Sequence, residues 1–236
     1  MNKAKDNYEK LGYFSNYVAA DNRRKEFDIK NHSILRIGKR PDFLFIGDSI
    51  THYWELNAYF NVPGQLIINR GIGGDTTYYL NQRFQVDALQ LNPKYCILGI
   101  GINDSIELEG DYWKLIDPTP YESVLARAKE NISAIIEKAR NSSTTLILTS
   151  LLPISIKLSL HETERKVFVY DLNQWLSTTA KKENLIFVNY FLATTYPGTN
   201  KLLDDITYDG LHPNARGYEL MSAVLRNTLH KNNITI

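Results

Sequence analysis

Short apolar runs alternate along this chain with polar turns and longer stretches of helical period. Five runs predict strands, at about Phe43–Gly47, Leu66–Asn69, Tyr95–Gly99, Thr145–Ser150 and Ile186–Val188, each rich in Ile, Leu, Val or Phe. Runs that are apolar on both faces suit strands buried between two helical layers. Tyr121–Arg140 carries Val124, Ala128, Ile132, Ile135, Ile136 and Ala139 on one stripe, and Thr163–Lys181 reads with Val167, Tyr170, Leu172 and Leu176 inward. A last helix follows Pro213 through Tyr218, Met221, Leu225 and Leu229, leaving Lys231–Ile236 as a tail. This alternation predicts a parallel, doubly wound α/β sheet. Residues 1–40 are polar, with the run NRRKEFD and the aromatics Tyr8, Tyr13, Phe14 and Tyr17. They read as an approach segment and an outer helix with a solvated charged face; a separate binding arm is the alternative.

A chain of 236 residues, 43% hydrophobic, accommodates one buried core, which predicts a single domain over 1–236 with its core at 41–230. The formal charge of +1 provides no global field for nucleic acid or an anionic membrane. No run of about 18 apolar residues predicts stable membrane insertion, and the absence of an apolar leader gives a cytoplasmic expectation. Cys96 stands alone in YCILGI, so no disulfide framework is expected, and its thiol reads as a small hydrophobe rather than a nucleophile. Homo-oligomerisation is compatible with the sequence, which neither demands nor forbids it.

Four segments could carry chemistry. In PDFLFIGDSITHYW the first strand delivers Ser49 to its carboxyl end, where open α/β sheets bind ligands; a helix cap is the plain alternative. In NRGIGGDTT three glycines fall within four residues, which allows a tight turn and close approach of backbone N–H groups, or simply a strand–helix turn. A phosphate loop would continue with Lys and Ser or Thr, and here Asp75, Thr76 and Thr77 follow. In ILGIGIND a third strand end carries Asn103 and Asp104, and a dinucleotide fingerprint lacks its third glycine. In YDGLHPNARGY, Asp209 and His212 stand three residues apart before the last helix. A carboxylate on one imidazole nitrogen leaves the other free to take a proton from a serine, though the segment also suits an ordinary turn and helix start. His52, Tyr53 and Trp54 read as lining or helix packing, and His32, His161 and His230 show no metal-ligand spacing.

Taken together and in this order, GDSI, GIGGDT, GIND and DGLHP resemble the SGNH subgroup of the GDSL esterase and lipase family, over about residues 41 to 220. The approach segment RRKEFDIKNHSILRIGKRPDFLFIGDS is similar to the subgroup related to platelet-activating-factor acetylhydrolase. Two departures stand out: Ile50 replaces the Leu of the family name, and Gly73 stands where many relatives carry Ser. The resemblance implies a three-layer α/β/α flavodoxin-like sandwich with a five-stranded parallel sheet and no metal or organic cofactor. It implies a carboxylic ester hydrolase with Ser49 as nucleophile, His212 as general base oriented by Asp209, and Ser49, Gly74 and Asn103 as oxyanion donors. The expected substrate is a small-molecule ester with a small or medium acyl group. The competing functions are a non-catalytic ligand- or partner-binding module on the same fold and a flavin binder. The segment SIELEGDYWKLIDPTP, residues 105–120, is long for a strand–helix connection and is expected to shape the acyl or alcohol pocket or to be a surface excursion.

Overall fold

The computed structural model describes residues 9–13, 18–157 and 159–236; Tyr8, Phe14 and Tyr17 lie outside them. Five parallel strands, β1 (Phe43–Gly47), β2 (Ile67–Gly71), β3 (Tyr95–Gly99), β4 (Thr145–Thr149) and β5 (Ile186–Val188), form one sheet in the order β2-β1-β3-β4-β5. That is the flavodoxin-like order, and it reverses direction between β1 and β3. The helices are α1 (Val18–Ile37), the short α2 (Ser49–His52) and α3 (Leu56–Tyr59), α4 (Thr77–Asp87), α5 (Tyr121–Arg140), α6 (Glu162–Lys182), the short α7 (Tyr190–Ala193) and α8 (Ala215–His230).

Alternate strand residues point to opposite faces and so separate two cores. Leu44, Ile46, Cys96, Leu98, Leu146 and Leu148 pack with apolar residues of α4, α5 and α6. Phe43, Phe45, Ile97, Ile147 and Val188 pack with Trp54, Met221, Leu225 and Leu229, on the side of α8. Each fully buried apolar side chain of this kind contributes about 1.5–3 kcal/mol. Ile234 and Ile236 close the second core, so the C-terminal tail belongs to the fold.

The strand expectations hold to within two residues at every end. β2 continues past Asn69 because the Arg70 side chain is buried, with Nε donating to Asn31 Oδ1 and Nη1 to the Asn69 carbonyl. The inward face of α6 needs correction. Val167 and Tyr170 are exposed, and the buried stripe runs through Phe168, Val169, Leu172 and Leu176. At 100° per residue Val167 lies across the helix from Leu172. The solvated-face reading of NRRKEFD also fails in part: Arg24 and Phe27 are fully buried, and Arg24 pairs with Asp28 and, at 2.9 Å, with Asp87. No helix among the described residues is long and apolar enough to cross a membrane.

Candidate active site

Ser49 is the first residue of α2, directly after β1, and is buried. Asp48 caps this helix, its carboxylate accepting from the Ile50 N–H at 2.9 Å. Burial pushes the Asp48 carboxyl up to about 7, against the pull of that hydrogen bond. Tyr218 of α8 donates its hydroxyl to the Ile50 carbonyl at 2.8 Å, joining the last helix to the turn that holds Ser49.

His212 arrives from the other end of the chain. Its Nε2 lies 2.9 Å from Ser49 Oγ, and its Nδ1 lies 2.7 Å from Asp209 Oδ2. With Asp209 accepting from Nδ1–H, Nε2 is free to accept from the serine hydroxyl. The second carboxylate oxygen of Asp209 accepts from the backbone N–H groups of Leu211 and His212, at 3.0 and 2.8 Å. Partial burial raises the Asp209 carboxyl, but these bonds more than offset it and hold the group below the ordinary carboxylate range. The loop is pinned from outside: Gly210, at φ +83°, accepts through its carbonyl from the Ser155 N–H at 2.8 Å. Asn214 then caps α8 by accepting from the Gly217 N–H.

The glycine turn follows β2. Gly74 has φ +78°, a conformation that favours glycine, whereas a side chain on Gly73 would meet only ordinary contacts, with His52 Nδ1 at 3.7 Å and Ser49 Cβ at 3.9 Å. Gly73 therefore faces the turn that bears Ser49 and has room for a small side chain. Asn103 follows β3, and its Nδ2 donates to the Asp75 carbonyl at 2.9 Å, one residue past Gly74. Asp104 accepts from the N–H and hydroxyl of Thr77, the first residue of α4, at 3.0 and 2.5 Å, while Thr76 caps that helix. The structure thus brings Ser49, Asp209 and His212 into one hydrogen-bonded line and sets the turns of Gly74 and Asn103 side by side through Asp75.

A cleft of about 640 Å³ opens beside the imidazole, lined by Tyr53, Glu55, Tyr59, Tyr208, His212 and Tyr218. Tyr53 stands with its ring 5.6 Å from that of His212, while Trp54 is buried in the second core. No residue of 105–120 lines this cleft. The segment is tied to α6 by Arg165–Glu109 at 2.6 Å and to α5 by Arg127–Glu107, with Trp113 exposed at 90%. Cys96 is buried in β3, and burial raises its thiol well above the usual range. Among the described residues, no group of three or more His, Cys, Asp or Glu side chains could hold a metal ion.

Sequence reasoning missed a second buried polar cluster beneath the site, formed by Arg24, Asn31, Arg70, Asp75, Arg83 and Asp87. The available signal was the pair Arg83 and Asp87, four residues apart on the side of α4 that also buries Leu80 and Phe84.

Among curated proteins, the chain is similar to the N-acylneuraminate cytidylyltransferase of Escherichia coli O18:K1:H7, at 23% identity over 92% of this chain and 45% of that protein, so it spans less than half of that relative. It is similar to the acetylxylan esterase of Geobacillus stearothermophilus, at 23% identity over 80% of this chain and 93% of that protein. Its fold matches a GDSL-like lipase from Bacteroides thetaiotaomicron with TM-score 0.70 and 27% identity, over 88% of this chain and 97% of that one. It also matches a Streptococcus pneumonia structure described as a platelet activating factor, with TM-score 0.69 and 26% identity, over 89% and 92% of the two chains. The model of the GDSL-like lipase/acylhydrolase family matches residues 45–220, a span that begins in β1 before Ser49 and ends in α8 after His212. With the flavodoxin-like sheet and the family blocks at its carboxyl edge, that match makes the chain a member of the GDSL-like lipase/acylhydrolase family.

Proposed function

We propose that this chain, acting as one domain, is a serine-dependent esterase for small or medium acyl groups, with Ser49 as nucleophile, His212 as base and Asp209 as the group that orients it. The observation that carries this reading is the Asp209–His212–Ser49 line, with contacts of 2.7 and 2.9 Å. In the first half-reaction Ser49 Oγ bonds to the ester carbonyl carbon while its proton passes to His212 Nε2. The carbonyl oxygen takes the negative charge and accepts hydrogen bonds from the backbone N–H groups of Ser49 and Gly74 and from the Asn103 amide. Collapse of this intermediate breaks the bond to the alcohol oxygen, which leaves with the proton from His212. Water then repeats the sequence on the acyl-serine, releasing the acid and restoring Ser49.

Because the leaving oxygen must reach His212, the alcohol portion occupies the tyrosine-lined cleft beside the imidazole. The family membership and the acetylxylan esterase likeness support ester chemistry on a short acyl group. The test is hydrolysis of p-nitrophenyl esters from acetyl to decanoyl by the wild-type protein and a folded Ser49→Ala variant. Loss in the variant, with a chain-length optimum in the wild type, supports the reading. Equal rates for both proteins overturn it and favour a binding module.

A further inference from the structure

Arg83 lies in α4, outside the four family blocks, and its side chain is fully buried. All three of its nitrogens are engaged. Nε and Nη2 reach Asp75 Oδ2 at 2.8 and 2.7 Å. Nη2 also donates to the Gly47 carbonyl at 3.1 Å, and Nη1 donates to the Arg70 carbonyl at 2.9 Å and to Asp87 Oδ2 at 3.3 Å. These contacts match the five N–H donors of a guanidinium.

The partners are informative. Gly47 ends β1, one residue before the Asp48–Ser49 turn, and Arg70 lies at the end of β2, leading into the glycine turn. Asp75 follows Gly74, and its carbonyl holds the Asn103 amide at 2.9 Å. One planar cation therefore touches the supports of Ser49, Gly74 and Asn103 together. Oxyanion stabilisation depends on donors fixed in advance, because reorientation during the reaction costs barrier height.

We infer that Arg83 is a positioning residue that sets the three proposed oxyanion donors in register from behind the sheet edge. The inference rests on the proposed roles of Ser49, Gly74 and Asn103. Its requirement is shape as much as charge: a lysine at this position keeps the cation but presents one nitrogen, which cannot span Gly47, Arg70 and Asp75 at once.

The test compares Arg83→Lys, Asn103→Ala, the double variant and Arg24→Met, each with folding verified by circular dichroism. Arg24 belongs to the same buried cluster through Asp87, and its ion pairs run to Asp28 and Asp87 rather than to Gly47, Arg70 or Asp75. In Arg83→Lys we expect kcat to fall about 10- to 100-fold with KM within about threefold, the signature of a contact that matters only in the transition state. Affinity for a trifluoromethyl ketone, which forms the tetrahedral adduct on a serine, should fall by the same factor. The double variant should lose little beyond Asn103→Ala alone, because both changes act on one hole. Arg24→Met should lower thermal stability and leave kcat unchanged.

Wild-type kcat in folded Arg83→Lys overturns the inference, as does an additive double variant or an equal fall in Arg24→Met. Normal kcat in Asn103→Ala overturns instead the oxyanion reading on which the inference rests. If Arg83→Lys does not fold, Asp75→Asn carries the test by removing the charge at the loop end. A kcat-selective loss of about fivefold or more then supports the inference, and wild-type kcat overturns it.

Discussion

Ser49 Oγ and His212 Nε2 stand 2.9 Å apart across 163 positions of chain, with the imidazole held from behind by Asp209 at 2.7 Å. Ser49→Ala and His212→Ala should each lower kcat for p-nitrophenyl acetate by about three to six orders of magnitude, since members of the proposed triad would act as a unit. Asp209→Asn should cost about 100- to 10,000-fold, because the imidazole loses the acceptor that fixes its tautomer. Steady-state kinetics on folded variants check both, and an Asp209→Asn protein with wild-type kcat would remove that residue from the mechanism.

Asn103→Ala should lower kcat by about 100- to 1000-fold while leaving KM and thermal unfolding close to wild type. The amide is partly exposed and bonds one backbone carbonyl, so little packing is lost. A joint change in KM and melting temperature would instead identify a structural role.

The buried carboxyls impose a pH dependence on stability. Burial raises Asp48 to about 7 and Asp104 to about 6, against an unfolded value near 3.9. Between roughly pH 4 and 7 the folded chain therefore holds protons that the unfolded chain has released, and stability from these groups declines as pH rises through that window. Asp48→Asn keeps an acceptor for the Ile50 N–H and should flatten the fall in melting temperature between about pH 4 and 7. Calorimetry across that range measures it; an unchanged slope would assign the proton to another group.

Gly210→Ala should damage both stability and turnover. At φ +83° an alanine is strained, and its Cβ would lie 1.7 Å from the Ser155 carbonyl oxygen, so the loop bearing Asp209 and His212 must move. A loss of at least about 1–3 kcal/mol is expected in denaturant unfolding, together with a lower kcat. Gly198→Ala provides the comparison, with a similar φ of +73° and open space around the new methyl.

The strands and α5 were legible because their apolar periods are local: Tyr121–Arg140 is the same range in sequence and structure. The serine, asparagine and histidine blocks were legible because each ends a recognisable run or precedes a cap. The buried arginines were not. Arg24 lies inside a charge run that suits a water-facing helix, and its burial depends on Asp87, far along the chain and itself buried. Val167 and Tyr170 misled for the opposite reason, as apolar side chains on the exposed side of α6. In both cases the deciding partner is tertiary, which a local period does not encode.

The parallel order β2-β1-β3-β4-β5 has a kinetic corollary. Such sheets are stitched from contacts distant in sequence and assemble slowly. Because the proposed nucleophile, Ser49, follows the first strand and its proposed base, His212, precedes the last helix, a refolding chain can regain helical signal while still inert. Return of turnover then marks the moment when the two ends of the chain meet, which makes the reaction itself a clock for the final closure of the molecule.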